Sequence, residues 1–140
     1  MKGKYLLFVT YHNENFDDGF AYAVDLAKVM GDGIEVLIIH NGKAVGNLEY
    51  MMTDNKDYEE KVALIEERCG KSGVPVNVGM SEMDAVPAIK DSLRQNARIG
   101  MVLLSPSITS DGNITTKDMK KLVKTASRPV VTMTRNSGAA

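Results

Sequence analysis

Residues 34–40, with the sequence IEVLIIH, form a nearly unbroken run of strand-forming apolar side chains. A second run of the same kind spans Ile99–Leu104. Strands that are apolar on both faces require helices on both sides of the sheet, which is the usual situation in parallel sheets. These two runs therefore predict central strands of a parallel sheet, and they set the fold class.

Three further apolar runs complete the predicted sheet: Tyr5–Thr10, Val74–Met80 and Pro129–Thr134. In the second of these, valines alternate with small or polar residues that include Pro75. Because proline cannot donate a hydrogen bond to a neighbouring strand, we expect Val74–Met80 to lie near an edge of the sheet. Pro129 places the last strand in a similar position.

Four segments of helical period separate these five strands. Their expected apolar stripes are Phe16, Phe20, Ala23, Val24 and Ala27; Tyr58, Val62, Ile65 and Cys69; Val86, Ile89 and Leu93; and Met119, Leu122, Val123 and Ala126. Gly31 is expected to end the first helix, and Gly70 and Gly73 to end the second. Asp84 is a predicted N-cap of the third helix, and Thr115 begins a Thr-x-x-Asp capping pattern before the fourth.

Alternating strands and helices require right-handed crossovers, and these produce an open doubly wound α/β sheet with helices on both faces. Ligands bind such sheets outside the carboxyl ends of the strands, where the strand order reverses. The loops after the first and fourth strands are therefore the predicted site.

The composition limits the function classes. The 140 residues carry 17 basic and 18 acidic side chains, a formal net charge of −1, so we expect one domain that does not bind nucleic acid. One cysteine and no histidine or cysteine cluster predict neither a disulfide nor a metal site.

Tyr5–Thr10 is far shorter than the ~20 apolar residues of a membrane span, so we expect a cytoplasmic protein without membrane insertion. Residues 136–140 are an expected flexible tail.

Several stretches resemble the universal stress protein family. Lys4–Val9, Ala21–Lys28 and Ile34–His40 are similar to its opening, Asp84–Ile89 to its third helix, and Ser127–Val131 to its closing strand. The resemblance covers nearly the whole chain. It implies a sheet in the order 3-2-1-4-5, of the adenine nucleotide alpha hydrolase-like type.

The same resemblance implies a homodimer, formed through the last predicted strand, and raises ATP as a ligand. In ATP-binding members an aspartate ends the first strand, and a loop of the form Gly-x2-Gly-x9-Gly-Ser/Thr follows the fourth. Here Thr10 takes the aspartate position, while Ser105 and Ile108 take those of the paired glycines. Pro106 removes a backbone donor and Asp111 adds negative charge, so each change opposes phosphate binding. The interval to the closing threonines is also too short.

The candidate binding residues lie at the predicted carboxyl ends of the strands and at the start of the fourth helix. They are Thr10, Tyr11, His12, Ile39, His40, Ser105, Ser107, Thr115 and Thr116. For His12 the alternatives are catalytic chemistry, ligand contact and a solvated loop histidine. For His40 the resemblance implies a contribution through backbone groups.

Three other features have simpler interpretations. Cys69 is predicted to be a buried core residue with an unreactive thiol. The segment Asn41–Asp57 is predicted to be a long loop, which either meets a partner or packs on the domain. Four lysines between 117 and 124 predict a solvated basic face on the fourth helix.

Three functions remain open. The first, favoured by the altered loop, is a dimeric module in stress response or signalling that binds proteins, with no catalytic residue and no tightly bound cofactor. The alternative is a switch that holds ATP or another adenine nucleotide through serine and threonine hydroxyls. An enzyme is the least supported, because no acid-base pair or metal constellation is visible.

Overall fold

The computed structural model describes residues 4–11, 17–40, 48–106, 108 and 116–133, with the backbone alone at 17–18 and 48–57. The predicted site residues His12, Ser107 and Thr115 and the predicted tail at 136–140 lie outside this part of the chain. So does the first half of the predicted loop, at residues 41–47.

Five parallel strands form one sheet in the order β3-β2-β1-β4-β5. They are β1 (Tyr5–Tyr11), β2 (Gly33–Ile39), β3 (Val76–Ser81), β4 (Ile99–Leu104) and β5 (Val130–Thr132). The helices are α1 (Asp17–Met30), α2 (Leu48–Ser72), α3 (Ala85–Gln95) and α4 (Thr116–Ala126). The predicted fold class, strand order and edge positions of the third and fifth strands are confirmed.

Each face of the sheet carries its own hydrophobic core. On one face, α1 and α2 pack against Leu6 and Phe8 of β1; on the other, α3 and α4 pack against Leu7 and Val9. All four of these side chains are fully buried. Burial of a large apolar side chain stabilises the fold by roughly 1.5–3 kcal/mol, so the covered strands supply much of the stability.

The predicted loop at Asn41–Asp57 is wrong over residues 48–57, which form the first turns of α2. This stretch contains neither glycine nor proline, so nothing in it breaks a helix, and its threonine, asparagine and aspartates are accommodated at the start of a helix of 25 residues despite their low helix propensity. Gly70 does not stop α2 either. The helix ends before Gly73, whose φ of +69° favours glycine.

Three smaller predictions also change. Val123 is 54% exposed, because it lies one residue beyond the buried position Leu122 and so points away from the sheet. The third strand begins at Val76, two residues later than predicted, after Pro75. The prediction for Cys69 is confirmed as to burial, since the side chain is fully buried and burial raises the pKa of its thiol.

No helix in the described part of the chain combines the length and the apolar character needed to cross a bilayer.

We predict that Gly33→Ala destabilises the protein by about 1–3 kcal/mol, the usual cost of an overpacked core. A Cβ at Gly33 would lie 2.6 Å from Cε2 of Tyr5 and 3.0 Å from the carbonyl oxygen of Pro75. The guanidinium of Arg98 covers the Tyr5 ring at 5.2 Å, which hinders the ring from moving aside. Urea unfolding measures the change.

Gly79→Ala is the matched control for this prediction. It also lies in a strand, but no atom stands within 4 Å of its added Cβ. Its free energy of unfolding should change by no more than about 0.5 kcal/mol. Equal losses in the two variants would contradict the packing argument.

Candidate functional site

The site lies where the strand order reverses, between the adjacent strands β1 and β4. Tyr11 of β1 lies beside Ile39 of β2, and the amide of Ser105, just after β4, donates to the carbonyl of Val9 at 3.0 Å. Five predicted residues therefore share one edge of the sheet: Thr10, Tyr11, Ile39, His40 and Ser105. Thr116 is described as the exposed first residue of α4.

The backbone amides that follow β4 are already engaged within the protein. The Ser105 amide donates to Val9, and the Ile108 amide donates to the carbonyl oxygen of Ser105 at 3.0 Å. Pro106, between them, has no amide hydrogen. At these three positions, therefore, no N–H is free to bind a phosphate oxygen.

The side chain of Ile108 is fully buried in the core beneath α3 and α4. Ser105 and Pro106 are buried as well. A phosphate loop keeps its backbone open to the ligand. Here the described residues after β4 are instead packed against the domain.

Met133, just after β5, lies beside the residues that follow β4. Its amide donates to the carbonyl of Leu104 at 3.0 Å. A Cβ at Gly19, in the first turn of α1, would lie 2.5 Å from the sulfur of Met133 and 3.5 Å from Cδ of Pro106. The φ of Gly19 is +87°, so both its conformation and its surroundings require glycine.

Gly19 and Met133 are not among the predicted site residues. The sequence does contain one signal, a glycine inside a segment of helical period. Glycine is unfavourable in a helix, so its presence there indicates a requirement of backbone geometry or packing. The position of Met133 beside it depends on tertiary structure.

Thr10 contributes a buried neutral hydroxyl at the carboxyl end of β1. Its side chain is 1% exposed, and Oγ1 has no hydrogen-bond partner among the described residues. Side chains alternate along a strand, so Thr10 lies on the same face as Phe8, beneath α1. An unsatisfied buried hydroxyl costs about 1–3 kcal/mol, and a ligand or water reaching it would recover part of this.

On the opposite face, Tyr11 approaches the start of α3. Burial raises the pKa of Tyr11, and the nearby negative charge of Asp84 raises that pKa further. Asp84 occupies the predicted N-cap position, with extended backbone, but its side chain makes no capping hydrogen bond. The prediction is therefore right for the position and wrong for the side-chain cap.

The backbone amide of His40 is also engaged, since it donates to the carbonyl oxygen of Ser81 at 2.7 Å. This leaves the amide unavailable to an adenine ring at the end of β2. The histidine, cysteine and carboxylate side chains that the structure describes form no group of three that could hold a metal ion.

The strand order and the helices on both faces are those of the universal stress protein fold. The universal stress protein UspA from Lactobacillus plantarum has a TM-score of 0.70 and 12% identity over 95% of this chain and 99% of its own. The family resemblance seen in the sequence is thereby confirmed at the level of the fold.

Two similar structures contain nucleotides. A universal stress protein from Archaeoglobus fulgidus in complex with dAMP has a TM-score of 0.61 and 13% identity, covering 94% of this chain and 97% of its own. An Arabidopsis thaliana family protein with AMP bound has a TM-score of 0.63 and 12% identity, covering 96% and 94%. No protein-family model and no curated protein matches the sequence.

We predict that Thr10→Val raises the free energy of unfolding by about 1 kcal/mol, because valine fills the same space without an unsatisfied hydroxyl. Thermal or urea unfolding measures the effect. Thr125→Val is the control, since the Thr125 side chain is exposed and its hydroxyl already donates to the carbonyl oxygen of Lys121 at 2.8 Å, so this variant should gain no stability. A destabilised Thr10→Val variant would show that the hydroxyl has a partner in the native protein.

Proposed function

We propose that this chain is a dimeric, non-catalytic module of the universal stress type, which acts in stress response or signalling by binding other proteins and not by holding ATP tightly. The engaged amides of Ser105 and Ile108 are the observation that carries this proposal. The module is proposed to act in the cytoplasm.

Binding a triphosphate at the end of β4 would require the backbone to rearrange. The Ile108 amide would have to leave the carbonyl of Ser105, and its side chain would have to leave the core. Removing a large aliphatic side chain from a core costs about 2–5 kcal/mol, which opposes any gain from phosphate contacts. The domain therefore favours the closed turn over a phosphate loop.

The proposed dimer uses the outer edge of β5. Pro129 and Met133 bond to β4 through their backbone groups, so alternation leaves the amides and carbonyls of Val130 and Thr132 directed away from the sheet. Such an edge can pair with the same strand of a second copy. Partner proteins would then bind a surface that is continuous across the two domains of the dimer.

We predict that ATP binds with a Kd weaker than about 1 mM, equivalent to less than about 4 kcal/mol of binding free energy. Isothermal titration of the purified protein tests this, with AMP and dAMP in parallel. Micromolar binding of ATP would overturn the main part of the proposal.

A second candidate, a switch that holds an adenine nucleotide, is favoured by the unpartnered Oγ1 of Thr10 and by the AMP and dAMP in the two similar structures. It requires nucleotide to co-purify with the protein, as seen by absorbance and mass spectrometry after denaturation. In that case Thr10→Val should weaken AMP binding about tenfold, the value of roughly one hydrogen bond.

For the dimer, we predict that Thr132→Pro gives a monomer while the domain stays folded, because proline removes an amide directed away from β4. Thr132→Val keeps that amide and should remain dimeric. Size-exclusion chromatography with light scattering measures the mass, and circular dichroism checks the fold. A dimeric Thr132→Pro variant would exclude this edge as the interface.

A further inference from the structure

One face of α4 carries a compact group of exposed lysines, here named the lysine face: Lys117, Lys120, Lys121 and Lys124. At 100° per residue they fall within an arc of about 100°, opposite the buried Leu122 and Ala126. No carboxylate of the described residues lies within ion-pair distance of any of the four. With its one aspartate, α4 has a net charge of +3, although the whole chain carries −1.

The outward side of α2 carries the opposite charge. Its exposed glutamates, here named the glutamate face, are Glu59, Glu60, Glu66 and Glu67. They fall within an arc of about 120°, with the small residues Ala63 and Gly70 between the two rows. The face is therefore a shallow acidic trough. Lys71 lies at its rim, 3.6 Å from a carboxylate oxygen of Glu67.

The spacing of charges on the two faces matches. Lys117 and Lys124 are two helical turns apart, about 10 Å along the axis. Glu59 and Glu66, and likewise Glu60 and Glu67, have the same separation. A helix carrying the lysine face can therefore place several ammonium groups beside the two glutamate rows without bending either helix.

We propose that the lysine face of one copy docks on the glutamate face of a second copy. Long lysine side chains reach across the small residues of the trough, and the near-neutral chain has little net repulsion to overcome. This contact is independent of the β5 edge and of the function proposed above.

The geometry of the domain makes the contact head-to-tail. The helices α2 and α4 pack on opposite faces of the sheet. A two-fold dimer would need α2 and α4 of the same copy at one interface, and this arrangement prevents that. Each added copy presents a new free lysine face or glutamate face. Such a heterologous contact gives assemblies that grow with concentration and do not stop at a dimer.

The first experiment is sedimentation velocity of the full chain at about 0.01 M and about 1 M NaCl, where the screening length is about 30 Å and about 3 Å. We expect species that grow with concentration at low salt and association at least about tenfold weaker at high salt. A mass independent of salt and concentration would overturn the proposal.

Two variants then isolate each side of the contact. One replaces all four lysines of the lysine face with glutamine, and the other does the same to all four glutamates of the glutamate face. Each variant alone should lose the growth at low salt. Their mixture should regain salt-sensitive association, because each variant supplies the face that the other lacks.

The control has the same change in net charge as the lysine variant but keeps both faces. It carries Lys4→Gln, Lys28→Gln, Lys90→Gln and Arg94→Gln. It should still grow at low salt. Loss of growth in this control, persistent growth of either face variant, or a mixture with no added contact would overturn the proposal. The proposal would also be overturned if the lysine face bound nucleic acid and did not bind a second copy of the chain.

Discussion

The constraint on which the rest of the structure depends is the burial of β1 on both of its faces. Leu6 through Thr10 are all buried. Because successive side chains point to opposite faces of the sheet, each face needs a layer of helices. A strand with that requirement occupies the middle of a doubly wound sheet. Further strands then pair on both of its edges. In folds of this type, the reversal of strand order creates a cleft at the carboxyl end of the central strand.

At this end of β1, the described residues contact one another. Ile108 is part of the core, the Ser105 and Ile108 amides bond within the domain, and Met133 packs against the first turn of α1. Thr10 keeps a polar atom at the base of the region, but a neutral one. The fold thus keeps the edge at which the strand order reverses, while the described residues beside it pack against one another.

The sequence was sufficient for the sheet because the apolar character of runs such as Ile34–His40 directly reflects burial on both faces. The predicted loop was wrong from Leu48 to Asp57, because the low helix propensity of the polar residues there is overridden once they belong to the long helix α2. The edge that holds Thr10 and Ser105 followed from topology. The Ile108 hydrogen bond and the contact between Gly19 and Met133 did not, because they depend on how distant segments meet.

The position of Met133 affects the order in which the domain is completed during synthesis. It follows the four described helices along the chain, yet it packs beside Gly19 in the first of them. Until β5 has left the ribosome, the start of α1 and the turn after β4 lack this neighbour. A nascent chain therefore lacks the contact between Met133 and the first turn of α1 until its last strand has paired with β4.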